Sequence, residues 1–188
     1  RAVEEMDGLG PRLLEDVGRS LAPRQIAIPT TLSAAEFGWG AGSTDTRGQA
    51  IKHVVRHPDL MPVAIILDAR MTLHTPPQLW LSTGMRAVDH AVETLCSVAA
   101  NPFTDATARQ ALALLSCGLR ASHREPRDLA ARRDCQLGAW MSMAAVPGGI
   151  PLGASHAIGH VLGGAFNVPH GFTSCVMLPA VLRHHAAA

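Results

Sequence analysis

Hydrophobic positions along the chain change period near residue 75. Before it they come in short continuous runs. Residues 25–36, QIAIPTTLSAAE, carry Ile26, Ala27 and Ile28, closed by Pro29, and residues 61–71, MPVAIILDARM, form an apolar run bounded by Pro62 and Asp68. Runs of that length between turn residues predict two buried strands, of the kind found in parallel sheets. An amphipathic helix is expected upstream, at PRLLEDVGRSL, residues 11–21. Beyond 75 the spacing becomes helical. TPPQLW, 75–80, opens a helix in the Thr-Pro manner, and three segments follow: STGMRAVDHAVETLCSVAA, NPFTDATARQALALLSCGLRASH (with Thr104 or Asp105 as its cap) and REPRDLAARRDCQLGAWMSMAAV. The pattern therefore predicts an α/β piece over 1–74 followed by an all-α piece over 75–188.

Charge changes the picture in the last third. No Asp, Glu, Lys or Arg occurs from Cys135 to Leu182, and Pro147, Gly148, Gly149, Pro151 and Gly153 break that stretch. A membrane helix needs ~20 unbroken apolar residues, so the stretch reads as protein interior and no membrane is expected. The composition, 47% hydrophobic and 16% charged, excludes a disordered chain. A net charge of +1 without a basic run gives no reason to expect nucleic acid as a partner. Cys96, Cys117, Cys135 and Cys175 form no CxxC pair and read as reduced thiols in a cytoplasmic protein.

Within the uncharged stretch, GASHAIGHVLGGAFNVPHG, residues 153–171, holds His156, His160 and His170. His156 and His160 share a helix face, and Gly163, Gly164 and Pro169 are expected to end that helix and leave His170 in a loop. His90 lies on the upstream helix GMRAVDHAVE. Imidazoles from two helices and a loop could converge on a divalent metal. Two histidines at i and i+4 are also common as satisfied core residues, so spacing alone leaves both readings open.

PTTLSAAEF, IILDARM, TGMRAVDHAVE and H-x3-H-x9-H-G occur here in that order, and together they resemble the iron-containing alcohol dehydrogenase family, over about residues 25–184. The resemblance implies a dehydroquinate synthase-like fold, truncated here to a partial dinucleotide-binding domain and a partial helical domain. It implies hydride transfer between NAD(P)H and a small carbonyl or alcohol substrate. It also implies Fe2+ or Zn2+ held by His90, His156 and His170, proton transfer helped by His160, cofactor contacts from Thr30, Thr31, Ser33 and Lys52, and a homodimer. The family's fourth metal ligand is an Asp one turn before His90, and here that position is Arg86. A guanidinium has no lone pair to give and would repel the ion. It could instead polarise a carbonyl or clamp a carboxylate, as the metal-free maleylacetate reductases of this family suggest; the plain alternative is a solvated surface Arg. Asp89 is expected to point away from the His90 face, and Glu93 matches a family position that is not a ligand.

The Gly-rich phosphate loop of the family has no counterpart in residues 1–25, so dinucleotide binding is expected to be weak, and the chain reads as a middle piece or as an inactive remnant. A His-based zinc hydrolase ranks last, because HExxH is missing and the uncharged stretch offers no acid to act as base.

Overall fold

The computed structural model describes residues 24–45, 51–166 and 168–187; the side chains of 41–45, 51–56, His170 and Ala187 lie outside that description. The helix expected at 11–21 also lies outside it. The described part is mostly helical.

Five helices follow one another: α1 Pro77–Cys96, α2 Pro102–Arg124, α3 Leu129–Met143, α4 Ala154–Phe166 and α5 His170–Ala187. Local chemistry sets their starts. Pro77 opens α1, where its missing N–H costs nothing. Asn101, not Thr104 or Asp105, caps α2: its side chain accepts from the Thr104 N–H, and the Thr104 hydroxyl accepts from the Asn101 N–H, a reciprocal capping box. Asp128 caps α3 through the Ala131 N–H at 3.0 Å.

α4 and α5 correct the expectation around the histidines. α4 runs through Gly163 and Gly164 to Phe166, and His170 opens α5 instead of sitting in a loop. A helix dense in glycine survives because neighbours need the room. A Cβ on Gly159 would meet the Thr173 hydroxyl at 2.8 Å, and one on Gly171 would meet Ser82 on α1 at 2.8 Å.

α1 is central. It packs on α2 and α3 along one side and on α5 and α4 along the other. Toward α2 and α3 lies the main core of Leu32, Phe37, Trp80, Ala87, Leu115, Leu119, Cys135 and Ala139. The other side of α1 buries polar residues: Ser82, Arg86, Asp89, His90 and Glu93.

The first part of the chain departs further from expectation. β1, Ile26–Ala27, pairs in parallel with β4, Ala64–Ile65, but each strand is only two residues long. These strands are not buried: Ile26 is 63% exposed, Val63 57% and Ile66 50%. Among the described residues the sheet has no third strand, and only part of its apolar surface is covered: Ile65 packs against the main core while Ile26 faces outward. An antiparallel hairpin, β2 Gly40–Asp45 with β3 Ile51–Arg56, was not among the expected elements. Among the described residues no helix is long and apolar enough to cross a membrane.

Candidate functional site

The polar side of α1 meets the first turn of α4. Glu93 accepts hydrogen bonds from the backbone N–H of Gly153 (2.9 Å) and of Ser155 (2.7 Å). Its Oε2 also lies 2.5 Å from His156 Nδ1. Asp89 Oδ2 stands 3.4 Å from the same nitrogen and accepts from the Ser155 hydroxyl at 2.8 Å. His90 stacks on His156, with ring centroids 4.8 Å apart. Arg86, one turn before His90, donates from Nη1 to the Ser174 hydroxyl on α5 at 3.3 Å. All of these side chains are buried.

The electrostatics follow from that crowding. Burial pushes the Asp89 carboxyl above its ordinary value. The nearby His156 and the hydroxyls of Ser174 and Ser155 only partly oppose the shift, and Glu93 adds to it. Burial alone would raise Glu93 as well, but the His156 hydrogen bond and charge and the two backbone donors together hold it below the ordinary value. Burial lowers Arg86 to about 10, against the pull of Asp89 and Glu93, so it remains a cation at neutral pH. Two carboxyl groups, one guanidinium and two imidazoles thus share one desolvated space.

Arg86 is 6% exposed, which excludes a solvated surface Arg. Asp89 is fully buried and beside His156. It does lie about 100° around α1 from His90, but α1 is covered on that side too. Glu93 is part of the site, although it matches a family position that is not a metal ligand.

Residues 80–188 match the model of the C-terminal part of the Fe-containing alcohol dehydrogenase family. The chain belongs to that family. It is 33% identical over 180 residues to maleylacetate reductase of Burkholderia cepacia, covering 96% of this chain and 49% of that one. Its fold superposes on a putative alcohol dehydrogenase from Ralstonia eutropha JMP134 with a TM-score of 0.82 at 34% identity, over 89% of this chain and 46% of the other. Maleylacetate reductase from Rhizobium sp. strain MTP-10005 gives 0.75 at 33% identity, over 83% and 43%. The chain spans about half the length of the curated relatives it matches.

Against this family's expected metal set, the structure brings His90 and His156 together. His160 lies one turn further along α4, half-buried. His170 starts α5, and its side chain is outside the described residues. Among the described residues, the ligand-bearing side chains close enough to share an ion are Asp89, Glu93 and His156. They do not suit a resident divalent cation. His156 Nδ1 is already bonded to Glu93, the carboxylates are engaged by Ser155 and Gly153, and the Arg86 charge stands beside them in low dielectric. Two ligand atoms of this set are left over, His156 Nε2 and Asp89 Oδ1, both buried and without a hydrogen-bond partner among the described residues.

The expected cofactor loop is stitched to the start of α1. Leu32 N–H donates to the Thr83 hydroxyl (3.1 Å), and the Thr75 hydroxyl donates to the Thr30 carbonyl (2.7 Å). The hydroxyls of Thr31 and Ser33 lie 3.3 Å apart. Thr30 borders an open cleft shared with Met71, His74, Thr75, Pro76 and Leu79. Lys52 lies on β3, with its side chain outside the described residues. Thr83 precedes Arg86 by three residues, about 4.5 Å of helix rise, so one rigid helix carries both the loop's anchor and the buried guanidinium.

Proposed function

We propose that this chain forms the helical part, with a piece of the α/β dinucleotide-binding part, of a carbonyl reductase that handles a carboxylated substrate without a resident metal. The divisions are 1–74 and 75–188. The observation that carries the reading is Arg86: a buried cation that makes one hydrogen bond among the described residues, to Ser174. A guanidinium has five N–H donors, so donors remain for a substrate oxygen.

Reduced nicotinamide dinucleotide, when bound, supplies the hydride. Thr30, Thr31 and Ser33 would hold it at the open cleft, with Lys52 nearby. Arg86 orients the substrate carboxylate or polarises its carbonyl, in the position where the family resemblance puts a metal-binding Asp. His160 delivers the proton to the reduced oxygen. The burial of Arg86, Asp89, His90 and His156 keeps water away from that exchange. Similarity to maleylacetate reductases supports the carboxylated substrate. A homodimer in the cytoplasm completes the reading.

The test is oxidation of NADH or NADPH by the full-length protein, offered 2-oxo and 4-oxo carboxylates beside uncharged aldehydes. The carboxylated compounds should be preferred at least about tenfold, the low end of what a charge-assisted contact contributes. Equal turnover of both classes would refute the role given to Arg86.

A further inference from the structure

Glu93 holds three donors at once. Two are the Gly153 and Ser155 N–H groups at the start of α4, which have no partner inside their own helix. A carboxylate there is also favoured by the helix dipole. The third donor is His156 Nδ1. The carboxylate comes this near only because residue 153 is glycine: a Cβ there would stand 2.9 Å from Glu93 Oε1. Glu93 is therefore immobile, and both of its oxygens are spent accepting.

A fixed acceptor dictates the ring it touches. A bare Nδ1 lone pair facing Oε2 at 2.5 Å would be repelled, so the proton sits on Nδ1. Asp89 Oδ2, 3.4 Å from the same nitrogen, biases the ring the same way. The His90 ring stacked against it limits tilting. Nε2 is then the free end, buried and without a hydrogen-bond partner among the described residues. A buried polar atom left open in this way is costly unless something fills the position.

We infer that Glu93 is a positioning residue: it fixes the tautomer and the orientation of His156, so that the Nε2 lone pair is presented as the acceptor for the hydroxyl that the reacting oxygen becomes once it is reduced and protonated. The catalytic half of this inference rests on the reductase reading; the tautomer does not. Removing an outer carboxylate that orients a functional histidine typically costs about 10- to 100-fold in activity.

The test is long-range 1H–15N NMR of the full-length protein with 15N-labelled histidine, the His156 signals being assigned by their loss in His156→Gln. The wild-type spectrum should show a protonated, pyrrole-type Nδ1. Glu93→Ala should shift His156 to a mixture containing the Nε2–H form, and Glu93→Asp should restore protonated Nδ1. In turnover, Glu93→Ala should lower kcat about 10- to 100-fold while KM changes far less, with partial recovery in Glu93→Asp. An unprotonated Nδ1 in the wild type overturns the inference, and this outcome needs no variant to fold. A wild-type tautomer retained in Glu93→Ala overturns it as well. A wild-type protein that reduces no carbonyl compound defeats the reductase reading, while the spectrum still decides the role of Glu93.

Discussion

Arg132 and Arg86 stand on helices that pack against each other, α3 and α1, and both are nearly out of solvent, at 3% and 6% exposure. Their surroundings differ. Arg132 donates from Nε to the Pro126 carbonyl at 2.6 Å and from Nη1 to the Thr72 carbonyl (2.9 Å) and hydroxyl (3.0 Å). Its guanidinium also lies 4.6 Å over the Trp80 ring, and the Trp80 indole donates to Ser122. The three oxygens it hydrogen-bonds are neutral. Arg86 makes one hydrogen bond among the described residues, to Ser174, and shares its space with Asp89 and Glu93. A satisfied cation ties segments together, here residue 72, the turn at 126 and α3. An under-bonded cation among carboxylates carries a desolvation cost that only a ligand or a function offsets.

The largest expected effect is on stability. Arg132→Met removes three hydrogen bonds to a charged group and strands buried carbonyls, so it should cost about 3 kcal/mol or more by urea unfolding. Arg86→Met should cost well under half of that. Equal losses would erase the distinction between the two sites.

Activity should show the reverse. Arg86→Met should lower kcat/KM on a carboxylated substrate about 10- to 100-fold, the equivalent of roughly 1.5–3 kcal/mol. Steady-state NADH oxidation measures it, and an unchanged kcat/KM would reduce Arg86 to a charge-balancing residue.

Titration separates the regions next. Burial pushes Cys135, beside Arg132 on α3, up to about 12. A thiol raised in the folded state contributes stability that is fully present below its unfolded value, about 8.5, and is lost as pH rises toward 12. At pH 8, iodoacetamide should label the exposed Cys96 and Cys117 promptly and reach Cys135 only on unfolding. Prompt labelling of Cys135 would mean that the Arg132 region opens readily.

The smallest effects come from glycine. Gly118→Ala would press a Cβ to 2.9 Å from the Ala131 carbonyl and 2.8 Å from Cys135 Sγ, so it should lower Tm. Gly153→Ala meets the Glu93 side chain instead, so it should disturb turnover more than Tm.

The helices were legible because a 3.6-residue apolar period persists through α1 and α2. The meeting of His90 with His156 followed from the order of motifs shared with the family. The direction of Asp89 relative to His90 does not reveal its place beside His156. α1 is buried on both sides, so a residue turned a quarter of the way round is still inside. Glu93 left one faint sign: α4 begins after Gly153, without a Ser, Thr, Asp or Asn cap, so its first N–H groups need an acceptor from elsewhere. Apolar runs around 26 and 64 predict buried strands, but burial depends on neighbours that a run of side chains does not specify. Nothing in the apolar pattern marked the hairpin at 40–56.

The central claim is reduction that relies on Arg86 and not on a bound metal. Its most direct test is NADH oxidation by the full-length protein with a carboxylated carbonyl substrate, before and after exhaustive chelation, beside an Arg86→Asp variant. The account predicts that chelation leaves the wild-type rate unchanged, and that Arg86→Asp loses activity while binding Fe2+ or Zn2+ more tightly, a carboxylate having replaced a repelling charge. A wild-type rate abolished by chelation and restored by either metal would contradict it.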